Sequence, residues 1–151
     1  KQGKLEEALK AYRDGLAIRE RLAADDRSNT LWQGILSESY DMVGDVLVKQ
    51  GKLEEALKAY RDGLAIRERL AADDRSNTLW QRTLAISYTK LASVHPRLGN
   101  VAGALVELRK GREIMAALVA IAPDNTQWKK DLAWFDGQIA RIEVQVQQGG
   151  R

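Results

Sequence analysis

From Leu53 the apolar residues fall at Leu53, Ala56, Leu57, Tyr60, Leu64 and Leu70, while Glu54, Glu55, Lys58, Arg61, Asp62, Arg67, Glu68 and Arg69 take the other side. Steps of three and four are the period of an amphipathic helix. The stretch before it places Trp32, Leu36, Tyr40, Val43 and Leu47 at intervals of 4, 4, 3 and 4. Gly51 separates the two as a C-terminal stop able to adopt positive φ. Ser76-Asn77-Thr78 and Asp124-Asn125-Thr126 carry N-cap chemistry for the helices that follow. Pro123 sits at such a junction, where its missing N–H costs nothing. Strand-like alternation is absent. The pattern predicts six helices, about 2–24, 29–49, 52–73, 77–97, 100–121 and 125–147, then a loose Gln-Gln-Gly-Gly-Arg tail.

A repeat organises these helices. Residues 1–33 and 49–81 are identical letter for letter at an offset of 48. Carried forward, that offset aligns Leu36, Leu84 and Leu132; Tyr40 and Tyr88; Gly51 and Gly99; Ala56 and Ala104; and Trp32, Trp80 and Trp128. Packing does not dictate exposed Lys and Glu letter for letter, so the identical block implies a recent or an engineered duplication.

The stretch Tyr40-x-x-Val43-Gly44-x-x-Leu47-x-x-x-Gly51-x-Leu53-x-x-Ala56-x-x-x-Tyr60-x-x-Gly63-Leu64 resembles the tetratricopeptide repeat. The resemblance covers nearly the whole chain and implies an all-α, right-handed solenoid of antiparallel helix pairs. Gly44 and Ala56 would then be close-approach points, with Tyr40 and Tyr60 filling the space between helices. The next unit matches at Tyr88, Leu91, Ala92, Gly99, Ala104 and Leu108, but has Ala92 for Gly, Leu108 for the aromatic and Arg112 where Leu64 stood. A standard unit has about 34 residues, so the period here leaves roughly 14 extra. These fall at Ile66–Ala72 and Thr30–Ser37, making each helix about two turns longer than usual. This is similar to long-helix arrays of large bacterial multidomain proteins and, more distantly, to kinesin light chains. Helical HEAT repeats have similar lengths but lack the Gly–Ala–aromatic spacing.

The implied organisation is one solenoid domain over 1–151. Residues 1–28 hold the second helix of a truncated unit, 29–76 and 77–124 are full units, and 125–151 form a capping helix and tail. The chain begins with Lys rather than Met, so it reads as a fragment. On this reading α-helix 2–24 lacks its partner. Leu5, Leu9, Tyr12 and Leu16 then become candidates for self-association, including by domain swapping.

Composition narrows the chemistry. The 151 residues hold no Cys and one His, which excludes disulfides, thiolate metal sites and multi-histidine ligation. His95, before Pro96, replaces the inward Leu47 of the previous unit, so a buried, hydrogen-bonded His is expected rather than a catalytic one. The Asp25-Asp26 and Asp73-Asp74 pairs read as solvated helix ends. Neither a catalytic motif nor a phosphate loop occurs. The expectation is no enzyme, no cofactor and no metal. No apolar run reaches 18 residues and no signal peptide opens the chain, so no membrane partner and a cytoplasmic location are expected. Net charge is +3, spread over mixed-sign helices, which is no basic stripe for nucleic acid.

In arrays of the resembling family the first helix of each unit lines the concave surface. Off the packing face, that stripe is Gly34, Glu38, Asp41 and Asp45, then Arg82, Ile86, Thr89 and Ser93 with Arg97 a turn on, then Lys130, Trp134, Gly137 and Arg141. The identity between repeats stops at Gln81, so scaffold is repeated while this face varies. Its charge runs from −3 over residues 34–48 to +2 over 82–96, which would orient an extended ligand. The expected function is a protein–protein interaction scaffold holding a peptide or helix on the concave face. The contacts would be Glu38, Asp41, Asp45, Thr89, Ser93, Arg97, Trp134 and Arg141. The alternative is a structural spacer or self-assembling segment of a larger protein. Trp32, Trp80 and Trp128 recur once per unit and read as packing residues, whereas Trp134 has no counterpart and reads as an end cover or a partner anchor.

Overall fold

The computed structural model describes residues 1–149. They form helices α1 (Gln2–Asp25), α2 (Thr30–Lys49), α3 (Leu53–Asp73), α4 (Thr78–Val94), α5 (Val101–Ile121) and α6 (Thr126–Gly149), with a 3₁₀ helix His95–Leu98 after α4. Helices α2, α4 and α6 each begin on the Thr of an Asn-Thr pair, and α3 and α5 begin one offset apart at Leu53 and Val101. The reason is local and repeated. Asn29, Asn77 and Asn125 each accept the N–H of the Trp three residues on, at 3.1, 3.1 and 3.0 Å. Gly51 and Gly99 take positive φ, 75° and 78°, closing the preceding helices. Beside them Lys52 N–H donates to Leu47 O and Asn100 N–H to His95 O.

Two boundaries differ from the sequence reading. The helix expected over 77–97 ends as an α-helix at Val94 and tightens into the 3₁₀ helix. Pro96 has no N–H to give to the carbonyl four residues back, and its ring crowds that carbonyl. The loose tail is also overestimated, because α6 continues through Gln147, Gln148 and Gly149. Gly150 and Arg151 lie outside the described residues.

The chain forms two units, Lys1–Asp73 and Asp74–Arg151. In the first, α2 packs against both α1 and α3. Leu9 of α1, Val43, Val46 and Leu47 of α2, and Ala56 and Ala59 of α3 share one core, with Leu5, Tyr12 and Leu16 half-buried against it. These four α1 residues were expected to lack a partner; α2 supplies one. Helix α1 therefore uses them inside the chain and leaves another stripe open. Gln33 joins the lengthened helix ends, since its side chain donates to Ala23 O and accepts from Arg69. The Trp column is half-buried rather than sealed.

In the second unit α5 is the central helix, packed against α4 and α6. Ala85, Ala92, Ala104, Leu108, Met115, Leu118, Phe135 and Ile142 make its core, and Trp128 packs on it. Close approach recurs at equivalent glycines. A Cβ on Gly63 would lie 3.1 Å from Ser37 O, and one on Gly111 would lie 3.1 Å from Ala85 O. At Gly44 the added atom would fall 2.4 Å from the Tyr60 ring.

Candidate functional site

Within the second unit α4 and α6 run alongside one groove. Arg82 Nε donates to Asp131 Oδ2 at 2.8 Å and joins the starts of the two helices. Next to that pair lies a cavity of about 180 Å³ lined by Ile86, Thr89, Met115, Asp131, Trp134 and Phe135. A larger cleft of about 600 Å³ continues along Thr89, Ser93, Trp134 and Arg141, past Pro96 and Gln145. Four of the expected contact residues, Thr89, Ser93, Trp134 and Arg141, thus border a single groove. Their spacing explains why: steps of 4 on α4 and 7 on α6 keep each pair on one face.

Trp134 is the element shared by both openings. Its indole stands edge-on to Phe135 at 5.3 Å between centroids and remains 46% exposed. An indole held by a buried neighbour yet open to solvent loses little freedom when a ligand covers it. Thr89 and Ser93 turn their hydroxyls back to Ile86 O and Lys90 O, so they offer methyl and methylene surface with an acceptor oxygen. Arg141 interacts with Gln138 one turn earlier and is otherwise exposed. Arg97 stands exposed on the 3₁₀ helix and is not part of the groove lining.

The acidic part of the expected face is differently placed. Asp41 Oδ2 accepts from Arg67 Nη1 of α3 at 2.6 Å, and both side chains are mostly buried, 16% and 11% exposed. Asp45 Oδ1 accepts from the Tyr60 hydroxyl at 2.6 Å. These two carboxylates hold α2 to α3, and only Glu38 of the acidic set is exposed. Burial, and then the bond to Asp45, push the Tyr60 phenol well above its ordinary value of 10. Tyr40, which donates to Glu20 at 2.7 Å, is raised for the same two reasons. A phenol whose pKa is raised by folding stabilises the fold fully below about pH 10 and stops doing so as pH climbs past it. The thermal midpoint should accordingly fall above that pH, and Tyr60→Phe, which cannot ionise, should show a shallower fall in the same titration.

His95 is buried and sits 3.4 Å from the Asn100 side-chain nitrogen through Nδ1, while Nε2 lies 3.9 Å from Glu107. It packs the end of α4 against α5. Asp26 and Asp74 accept from Ser28 and Ser76 in exposed turns. Among the described residues no group of three or more His, Asp or Glu side chains is placed to hold a metal. Among the same described residues no helix is long and apolar enough to cross a membrane.

Sequence reading named the groove's rim and missed its floor. Met115 of α5 and Phe135 of α6 line the smaller cavity, yet both belong to core columns and carry no outward signal. Ile86 was legible as an apolar residue in a solvent-facing column, and it is 39% exposed.

Residues 1–26 and 36–75 match the tetratricopeptide repeat model. The matched segments are tetratricopeptide repeats. Such repeats suggest a protein-interaction or scaffold role. The fold of the chain is similar to the crystal structure of BtubC (BKLC) from P. vanneervenii, with a TM-score of 0.67, 21% identity and 95% of this chain covered. That similarity shows the fold, an all-α solenoid of paired helices. The chain spans 50% of the length of that protein. No curated protein matches.

Proposed function

We propose that this chain is a non-catalytic interaction scaffold that holds an extended peptide or a helix along the α4–α6 groove. The observation carrying this reading is Trp134, half exposed at the meeting point of two cavities and braced by Phe135. Its partner would place an apolar side chain beside Trp134 and Ile86 and polar groups near Thr89, Ser93 and Arg141. Arg97 extends the rim, and Glu38 offers an exposed acid in the first unit. Asp41 and Asp45 serve the scaffold instead. The repeat units 29–76 and 77–124, a bacterial multidomain parent and a cytoplasmic location belong to the same reading, with no nucleic acid or membrane partner.

Panning a displayed peptide library on the wild-type chain tests this. Enriched peptides should bind Trp134→Ala at least about 30-fold more weakly, the loss a central aromatic anchor gives. Equal binding to Trp134→Ala, with circular dichroism unchanged, would remove the groove from consideration. A second reading, a self-assembling repeat segment, is favoured by Ile18 and Leu22 of α1, which are 55% and 37% exposed.

A further inference from the structure

A cluster in the second unit breaks from the repeat as a group. His95, Asn100, Gly103 and Glu107 stand where the previous unit has Leu47, Lys52, Glu55 and Ala59. The fold gathers them at the turn from α4 into α5. Asn100 caps α5 by accepting the Gly103 N–H on Oδ1 at 2.8 Å. That N–H belongs to the first turn, where the helix itself offers no carbonyl to receive it. Gly103 also makes the room, since a Cβ there would lie 2.4 Å from Asn100 Nδ2. With Oδ1 turned to Gly103, the amide presents its NH₂ group to His95 Nδ1, 3.4 Å away. An NH₂ group only donates, so Nδ1 must accept and the neutral ring carries its proton on Nε2.

That nitrogen faces Glu107 Oε1 of α5 at 3.9 Å, with the His95 side chain 6% and the Glu107 side chain 15% exposed. On α4 and on the 3₁₀ helix the charged residues nearest in sequence are Lys90 and Arg97. Protonating the imidazole adds an N–H at Nδ1, aimed at another donor. The same charge strengthens the attraction of the ring to Glu107. Asn100 can meet the new proton by turning its oxygen towards the ring, and Gly103 then loses its acceptor. We propose that His95, Asn100 and Glu107 form a proton-operated clasp. While His95 is neutral the clasp is fastened and α5 is capped; when His95 is charged the cap is exchanged for a His95–Glu107 ion pair. The 3₁₀ helix that carries His95 also carries Pro96, which lines the larger cleft, so release loosens that end of the groove. The clasp goes beyond the peptide reading and does not depend on it.

His95 is the one histidine of the chain, so its ring resonances report this site alone. NMR of the full chain, titrated from about pH 7.5 to 5, is the test. At the upper end the ring nitrogen shifts should mark the Nε2–H tautomer. As His95 gains its proton, the Gly103 amide should lose about fivefold in protection from exchange, corrected for the intrinsic pH dependence and with the midpoint of the ring. The Trp32, Trp80 and Trp128 amides, bonded to Asn29, Asn77 and Asn125, should keep their protection. Asn100→Asp retains the cap and sets a second oxygen against Nδ1. It should raise the His95 midpoint by about one pH unit and leave Gly103 protected at the lower end. Glu107→Gln should lower the midpoint. A Gly103 amide whose protection stays flat through the His95 titration overturns the clasp. So does an Nδ1–H tautomer, a ring that stays neutral to the lower end, or an Asn100→Asp midpoint equal to that of the wild type.

Discussion

Asp41→Ala is expected to destabilise the first unit by about 3–5 kcal/mol, because it leaves the Arg67 guanidinium largely buried without the carboxylate it faces. The neighbouring geometry offers no easy escape. Asp41 sits on the middle of α2, and Arg67 reaches it from α3 across the same interface that Gly63 keeps narrow. In thermal unfolding at neutral pH the corresponding fall in Tm is on the order of 10 °C for a chain of this size. Arg67→Met together with Asp41→Leu should recover much of the loss, since an apolar pair of similar volume removes both desolvated charges. A single variant as stable as wild type would show that the pair is in fact solvated. The result also governs how binding experiments are designed. Charge reversal at Asp41 or Asp45 would act on the fold first, so groove variants belong at Trp134, Thr89 and Arg141.

Gly44→Ala is the second large effect, expected at about 2–3 kcal/mol. The added methyl would lie 2.4 Å from one Tyr60 ring carbon and 2.6 Å from another. Tyr60 is 3% exposed and its hydroxyl is engaged by Asp45, so the ring has no free volume to rotate into. The helical preference of Ala over Gly, about 1 kcal/mol, opposes this only in part. The second unit already contains the compensated version. Ala92 occupies the Gly44 column and Leu108 the Tyr60 column, both buried in one core. Gly44→Ala combined with Tyr60→Leu should therefore cost less than the two single changes added together. A double-mutant cycle by denaturant unfolding reads that coupling directly. Additive losses would mean that Gly44 and Tyr60 do not share a contact.

The same pair shows how much was legible beforehand. Gly44, Tyr60, Gly51 and the Asn–Thr starts carry local signals: a missing side chain, an aromatic at the right interval, a cap. Helix limits followed from them to within a residue or two nearly everywhere. Only Pro96 moved a boundary by more. The stripe of contact residues divided instead. Thr89, Ser93, Trp134 and Arg141 came together on one groove, while Asp41 and Asp45 were taken up by Arg67 and Tyr60. A helical wheel places Asp41 on a side. It does not report that a long side chain from α3 reaches around to it.

Helix α1 makes the division clearest. Its sequence by itself determined that it would be an amphipathic helix and which residues would be apolar, because those properties depend on spacing along one chain. Tertiary structure decided which part of that apolar surface is used. Leu9 is buried beneath α2, whereas Ile18 stays open, although the same isoleucine is covered in α3. Identical letters give identical propensities and unequal burial, since burial is a property of neighbours. A repeat can copy a helix, but the surface that helix presents depends on what is packed beside it.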